Sequence, residues 1–127
     1  MLSILNIQRE VHTSLSTCIS TPIYFYPPRK REETYVKINS IKIYEGNNLG
    51  EGLAAVEVNL KVHSNAKSSA NCLQIMDKIC ACYQQQEIKF STFVINNIGD
   101  LERALTVNQE LEWIGEITLY FWLELIN

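Results

Sequence analysis

Three features of the sequence predict an α+β fold, a single mainly antiparallel β-sheet with two helices packed on it, in the order helix, β-hairpin, helix, β-strands. The first is a run in which Ala54, Val56, Val58, Leu60 and Val62 alternate with Ala55, Glu57, Asn59, Lys61 and His63. Side chains alternate across a pleated strand, so this run has one apolar and one largely polar face. Its ten residues at about 3.3 Å each reach about 33 Å, enough to cross a small sheet. The second is a change of period just after it. Ala66, Ala70, Leu73, Met76, Ile79 or Cys80, and Tyr83 recur every three or four residues, the stripe of an amphipathic helix. The third is the closing segment, where Trp113, Ile117, Leu119, Phe121, Leu123 and Leu125 hold one face, with Gly115 the only gap.

The remaining elements follow in chain order. Ile4, Ile7, Val11, Leu15 and Cys18 mark a helix over residues 4–17, with Ser3 as N-cap. Thr13, Ser14, Ser16 and Thr17 weaken its end, because their hydroxyls compete for backbone bonds. Ile23, Tyr24, Phe25 and Tyr26 then form a short edge strand that Pro27 and Pro28 stop, since proline cannot donate into a ladder. Residues 35–44 read as a strand with a phase slip. Val36 and Ile38 share a face before Asn39 and Ser40, and Ile41 and Ile43 share it after them, as a β-bulge would arrange. Residues 45–52, EGNNLGEG, hold three of the five glycines and form the tip of a hairpin into the Ala54 strand. Ser64 and Asn65 are good N-cap types for the second helix, which spans residues 67–85.

Residues 88–96 read as a strand, with Phe90, Thr92 and Val94 facing one way and Phe93 and Ile95 the other. Residues 97–100 read as a turn. Residues 101–107 remain open between one helical turn, favoured by Leu101 and Leu105, and a strand, favoured by Thr106 and Val107. The last strand belongs in the sheet interior, because an exposed edge this apolar would aggregate. Its second face, Ile114, Glu116, Thr118, Tyr120, Trp122, Glu124 and Ile126, is mixed rather than polar. Two covers fit that face: another chain, which makes Glu116, Tyr120, Trp122 and Glu124 a candidate oligomer interface, or the first helix.

At 127 residues the chain fits one domain, residues 1–127, large enough to bury about two thirds of its unfolded surface. A composition of 46% hydrophobic and 20% charged residues belongs to a globular chain. The net charge of −3 supplies no global basic field for gripping nucleic acid. No apolar run has the length of a membrane helix, and Gln8, Arg9, Glu10 and His12 interrupt the segment where a signal peptide is apolar, so a cytoplasmic protein with no membrane partner is expected. Cys80 and Cys82 lie about 200° apart around a helix, and Cys72 and Cys80 about 12 Å apart along it, so neither pair bridges. These cysteines read as small buried side chains.

Residue chemistry points away from an enzyme and implies no cofactor or metal. No G-x-S-x-G elbow, glycine-rich phosphate loop, H-E-x-x-H helix or C-x-x-C knuckle is present. A thiol enzyme built on Cys72, Cys80, Cys82 and His63 is the weakest of the readings, since His63 ends a strand on its polar side. Arg29, Lys30 and Arg31 are answered at once by Glu32 and Glu33. They form either a solvated loop or a basic tip for phosphate or an acidic partner.

Together, AAVEVNLKVHSNAKSSANCLQIMDKI and the closing WIGEITLYFWLEL resemble the tail-completion, or tail-terminator, proteins of long-tailed phages, prophages and gene transfer agents. Pro22-Ile23-Tyr24 with Pro27 ahead of the hairpin, and the opening Trp113-Ile114-Gly115 of the last strand, extend the resemblance over most of the chain. The resemblance implies a ring, commonly of six subunits, that caps the tail tube, stops its growth and presents the surface joined by the filled head. Implied partners are further copies of the chain, the tail tube protein, a head-closure or connector protein, and DNA passing through the channel without specific recognition. It also implies residence in the neck of a virion once the particle is made. Arg29, Lys30 and Arg31, with Glu45, Asn47 and Asn48 in the second loop, are then candidates for lining the channel or docking a partner. Two alternatives stand beside it: a head-closure or adaptor protein of the same neck, and a small ligand- or peptide-binding module.

Overall fold

The computed structural model describes residues 3–28, 34–45, 53–64 and 69–125. Along them run α1 (Ile4–Cys18), β1 (Ile23–Tyr24), β2 (Thr34–Tyr44), β3 (Leu53–Ser64), α2 (Ala70–Gln84), β4 (Phe93–Ile98), β5 (Glu102–Val107) and β6 (Trp113–Leu125). β2, β3 and β6 are antiparallel neighbours in that order. β1 adds to β2 in parallel through two residue pairs, so the sheet is mixed but mostly antiparallel.

β4 and β5 share the far edge of β6. β4 pairs with residues 121–125 and β5 with residues 113–118, which makes them two halves of one interrupted antiparallel arm. β6 therefore has neighbours on both sides, as its apolar pattern requires. Residues 102–107, ambiguous by pattern, are a strand because β6 offers them a ladder.

Both helices lie on one face of the sheet. Ile7, Val11 and Leu15 of α1 and Cys72, Met76, Ile79, Cys80 and Tyr83 of α2 join a core with the inward residues of β3 and β6. Val56, Val58, Leu60, Val62, Ile117 and Leu119 are all 0–1% exposed there. α2 can approach closely because β6 carries Gly115 beneath it. A Cβ at that position would collide with Met76 and lie 3.0 Å from the Cys72 sulfur. The gap in the apolar stripe of β6 is thus the seat of the helix.

Ser3 caps α1, its hydroxyl accepting from the Asn6 N–H at 3.0 Å. The ladder of β2 and β3 shifts register between Ile38 and Ser40, where the phase slip placed a bulge. Other details differ from the pattern. α2 starts at Ala70 with Ser69 as N-cap, while Ser64 ends β3; Asn65 and Ala66 lie outside the described residues. Ala70 and Leu73 are exposed rather than inward, and the buried stripe runs through Cys72 and Cys82 instead. The strand placed at 88–96 begins only at Phe93. Ile88 and Phe90 are buried all the same, from a loop held to α1 by Glu10, whose carboxylate accepts from the Ser91 N–H and from the hydroxyls of Ser91 and Thr92.

Candidate interaction surface

With both helices on one side, the other face of the sheet carries no described element. α1 does not cover it, which removes one of the two covers expected from the sequence. Cross-strand register sets out its rows. Tyr44, Ala55 and Trp122 lie abreast; next come Lys42, Glu57 and Tyr120; then Ser40, Asn59 and Thr118; then Lys37, Lys61 and Glu116; then Tyr35, His63 and Ile114. Glu116, Tyr120, Trp122 and Glu124 all project from this face by the two-residue period of β6.

Three zones follow. At one end Trp122 is 41% and Tyr44 51% exposed. With Ala55, Glu57, Gly99 and Tyr120 they border a groove of about 270 Å³. Gly99 is required there, since a Cβ on it would stand 2.9 Å from the Tyr120 Cβ. The middle is a polar belt. The Asn39 amide donates to Asn59 Oδ1 at 3.0 Å, and Asn59 Nδ2 donates to Glu116 Oε1 at 2.9 Å and to Thr118 Oγ1 at 3.0 Å. Lys42 Nζ lies 3.5 Å from Glu57 Oε2. Loss of water around the Tyr120 phenol, and then the carboxylates of Glu102 and Glu57, push its pKa up.

At the other end the His63 ring stacks on Tyr35, centroids 4.6 Å apart and planes at 6°. Its Nδ1 is 3.6 Å from Glu112 Oε1, beyond hydrogen-bond reach, and neither ring nitrogen has a hydrogen-bond partner among the described residues. Burial pulls the His63 pKa down; Glu112 opposes this, and Lys61 and Lys37 add to it. Glu112 is fixed by the turn before β6, where its N–H donates to Asn108 Oδ1 and its Oε1 accepts from Asn108 Nδ2.

Tyr83 of α2 ties this face to the core through the break between β4 and β5. Its hydroxyl sits 2.6 Å from the Gly99 carbonyl oxygen and 2.7 Å from that of Tyr120, and accepts from the Tyr120 N–H at 3.2 Å. A second groove, of about 300 Å³, opens beside it between the end of α2 and β4, lined by Ile88, Phe90, Phe93 and Ile95.

The open face presents aromatic, amide and charged side chains in adjoining rows. Among the described residues, no group of three His, Cys, Asp or Glu side chains is placed to hold a metal ion. Burial pushes the thiols of Cys72 and Cys80 up, and burial together with the neighbouring Cys18 pushes Cys82 up to about 12, so a reactive thiolate is disfavoured at each. No described helix is long and apolar enough to cross a membrane. Of the loop residues singled out by sequence, Glu45 is exposed at the end of β2, while Arg29, Lys30, Arg31, Asn47 and Asn48 lie outside the described residues. Sequence reasoning missed Lys42, Glu57, Asn59 and Glu102. The polar half of the β3 alternation was the signal for two of them, but not the identity of their neighbours.

Neither a family model nor a curated protein matches this chain. The structure is similar to a chain in the virion of a native gene transfer agent particle. The match has a TM-score of 0.74 at 15% sequence identity and covers 93% of this chain and 94% of that one. At that identity the likeness establishes the fold.

Proposed function

We propose that this chain is a structural tail-completion protein of a phage-like particle, one domain over residues 1–127, that closes into a ring on the tail tube and offers the surface joined by the filled head. The observation that carries the reading is the fold shared with a virion chain over nearly the whole of both chains. The helix-free face supports it. Tyr120 and Trp122, with Glu116 and Glu124, present a mixed aromatic and acidic surface of the kind that assembly covers.

The work is mechanical, with no bond made or broken. A closed ring, with six copies expected, needs a heterologous contact whose rotation returns to its start. Its partners are further copies, the tube protein, a head-closure protein and DNA that slides through the channel unread, which the net charge of −3 suits. Arg29, Lys30 and Arg31, with Glu45, Asn47 and Asn48, are our candidates for lining the channel or docking a partner. Assembly takes place in the cytoplasm and the final location is the virion neck.

The test is to add the purified protein to tail tubes. Expected are ring density at one tube end, halted growth, and, in native mass spectrometry, a species at six times the 14.6 kDa chain mass. A chain that stays monomeric and leaves tube growth unchanged overturns the reading. A second reading, a small ligand- or peptide-binding module, is favoured by the groove beside Trp122. It requires a monomer with saturable binding that Trp122→Glu abolishes.

A further inference from the structure

We propose that the two outer edges of the sheet are complementary halves of one joint, through which β2 of one copy adds in antiparallel register to β5 of the next. The proposal rests on the ring reading and names the surface that would close it. β2 is eleven residues long, yet β1 pairs only with its Val36 and Lys37. Among the described residues nothing pairs with the outer side of residues 38–44, or with the outer side of β5. Such edges are templates for another strand.

Direction favours head-to-tail addition. β2, β3, β6 and β5 alternate in direction across the sheet, so β5 runs opposite to β2. A second copy carried along the sheet without turning over therefore places its β2 antiparallel to β5 of the first, helices on the same side. Charge favours the same pairing. On the open face β2 carries Lys42, 62% exposed, at its edge, and β5 carries the exposed Glu102 at the opposite edge. Lys42 lies against Glu57, and Tyr120 stands between Glu57 and Glu102, so the band across the sheet begins with a cation and ends with a carboxylate. Unlike edges attract, whereas a two-fold pairing brings like edge to like edge.

Packing agrees. Setting Lys42 opposite Glu102 brings Ile41 and Ile43 alongside Arg103 and Leu101 on the helix-bearing side. Ile41, Ile43, Leu101 and Leu105 are partly buried side chains at opposite rims of the core. Joining the edges would continue that core from copy to copy and leave the open face around Trp122 for the tube or a neck protein.

The experiment measures assembly against concentration by native mass spectrometry for the wild type, Lys42→Glu, Glu102→Lys and the double exchange. Each single reversal is expected to raise the concentration for half-assembly about tenfold, and the double exchange to restore it. Ser40→Cys and Ala104→Cys, made in separate chains, test geometry without touching either charge. Oxidation should cross-link them only when the two chains are mixed. Self-linking of either variant alone, or assembly indifferent to both reversals, overturns the edge joint while leaving a ring built on another surface standing. A wild type that never assembles alone also overturns it, and the tube-capping test then decides the ring reading separately.

Discussion

The two faces of β6 are made by neighbouring residues of one strand and have opposite fates. Ile117, Leu119, Phe121 and Leu123 are 0–2% exposed beneath the helices, while Glu116, Trp122 and Glu124 are exposed between them. Apolar character alone does not separate the faces, for Ile114, Tyr120 and Trp122 belong to the open one. What separates them is the supply of partners. α1 and α2 together cover one side, and Gly115 lets α2 settle onto it, so the fold is complete before the aromatic surface has been used. Stability is therefore drawn from one side of the backbone, and the aromatic side chains of the other are left over from folding.

The sharpest way to break this comparison is a pair of substitutions one residue apart. Phe121 packs edge-to-face on Tyr83 at 5.4 Å and against Phe90 at the same distance, so Phe121→Ala opens a cavity in the core. The expected loss is about 3–5 kcal/mol in urea unfolding. Trp122→Ala is expected to cost about 1 kcal/mol or less in the same measurement and, on the proposed tail-completion reading, to weaken capture by tail tubes. Equal losses from the two would mean that the open face is part of the folding core.

A smaller effect is expected where the covered side reaches through to the open one. Tyr83→Phe removes the hydroxyl shared by the Gly99 and Tyr120 carbonyls and leaves the Tyr120 N–H without that acceptor. The expected cost is about 1–3 kcal/mol, with faster hydrogen exchange at the Gly99 and Tyr120 amides than elsewhere in the sheet. Exchange that speeds uniformly would show that the hydroxyl supports the fold generally and does not fasten the break between β4 and β5.

How far the sequence foretold this division depends on the range of the interaction. The half-buried β3, the bulge near Ser40 and the interior position of β6 were legible, because alternation and phase are local. The stripe of α2 was misjudged at Leu73 and Ala70 because the cysteines are small, and only docking over Gly115 shows which flank turns inward. The loop carrying Ile88 and Phe90 looked like a strand because its apolar residues alternate, but Glu10, some eighty positions earlier, holds it against α1. The open face was legible as a mixed strand face. Its rows were not, because the pairing of Glu57 with Tyr120 or of Asn59 with Thr118 depends on β3 and β6 being neighbours across an intervening helix.

The smallest expected effect is at the end of the open face, where His63 contrasts with the solvated belt beside it. Its ring is held flat on Tyr35, faces Glu112, and has Lys61 and Lys37 nearby. Burial outweighs the carboxylate, so the folded chain binds this proton less readily than the unfolded chain, whose histidine titrates near 6.5. Stability contributed by the neutral ring is therefore complete above about pH 6.5 and is lost as the pH falls below it toward the folded value. His63→Phe keeps a flat ring against Tyr35 and removes the proton. Thermal melts of the two proteins should differ little in slope at neutral pH, with the wild type alone losing stability on acidification from this group. An acid-side loss of the same size in both would move the cause to the carboxylates and leave His63 as packing alone, joining this end of the open face to the stability side of the comparison.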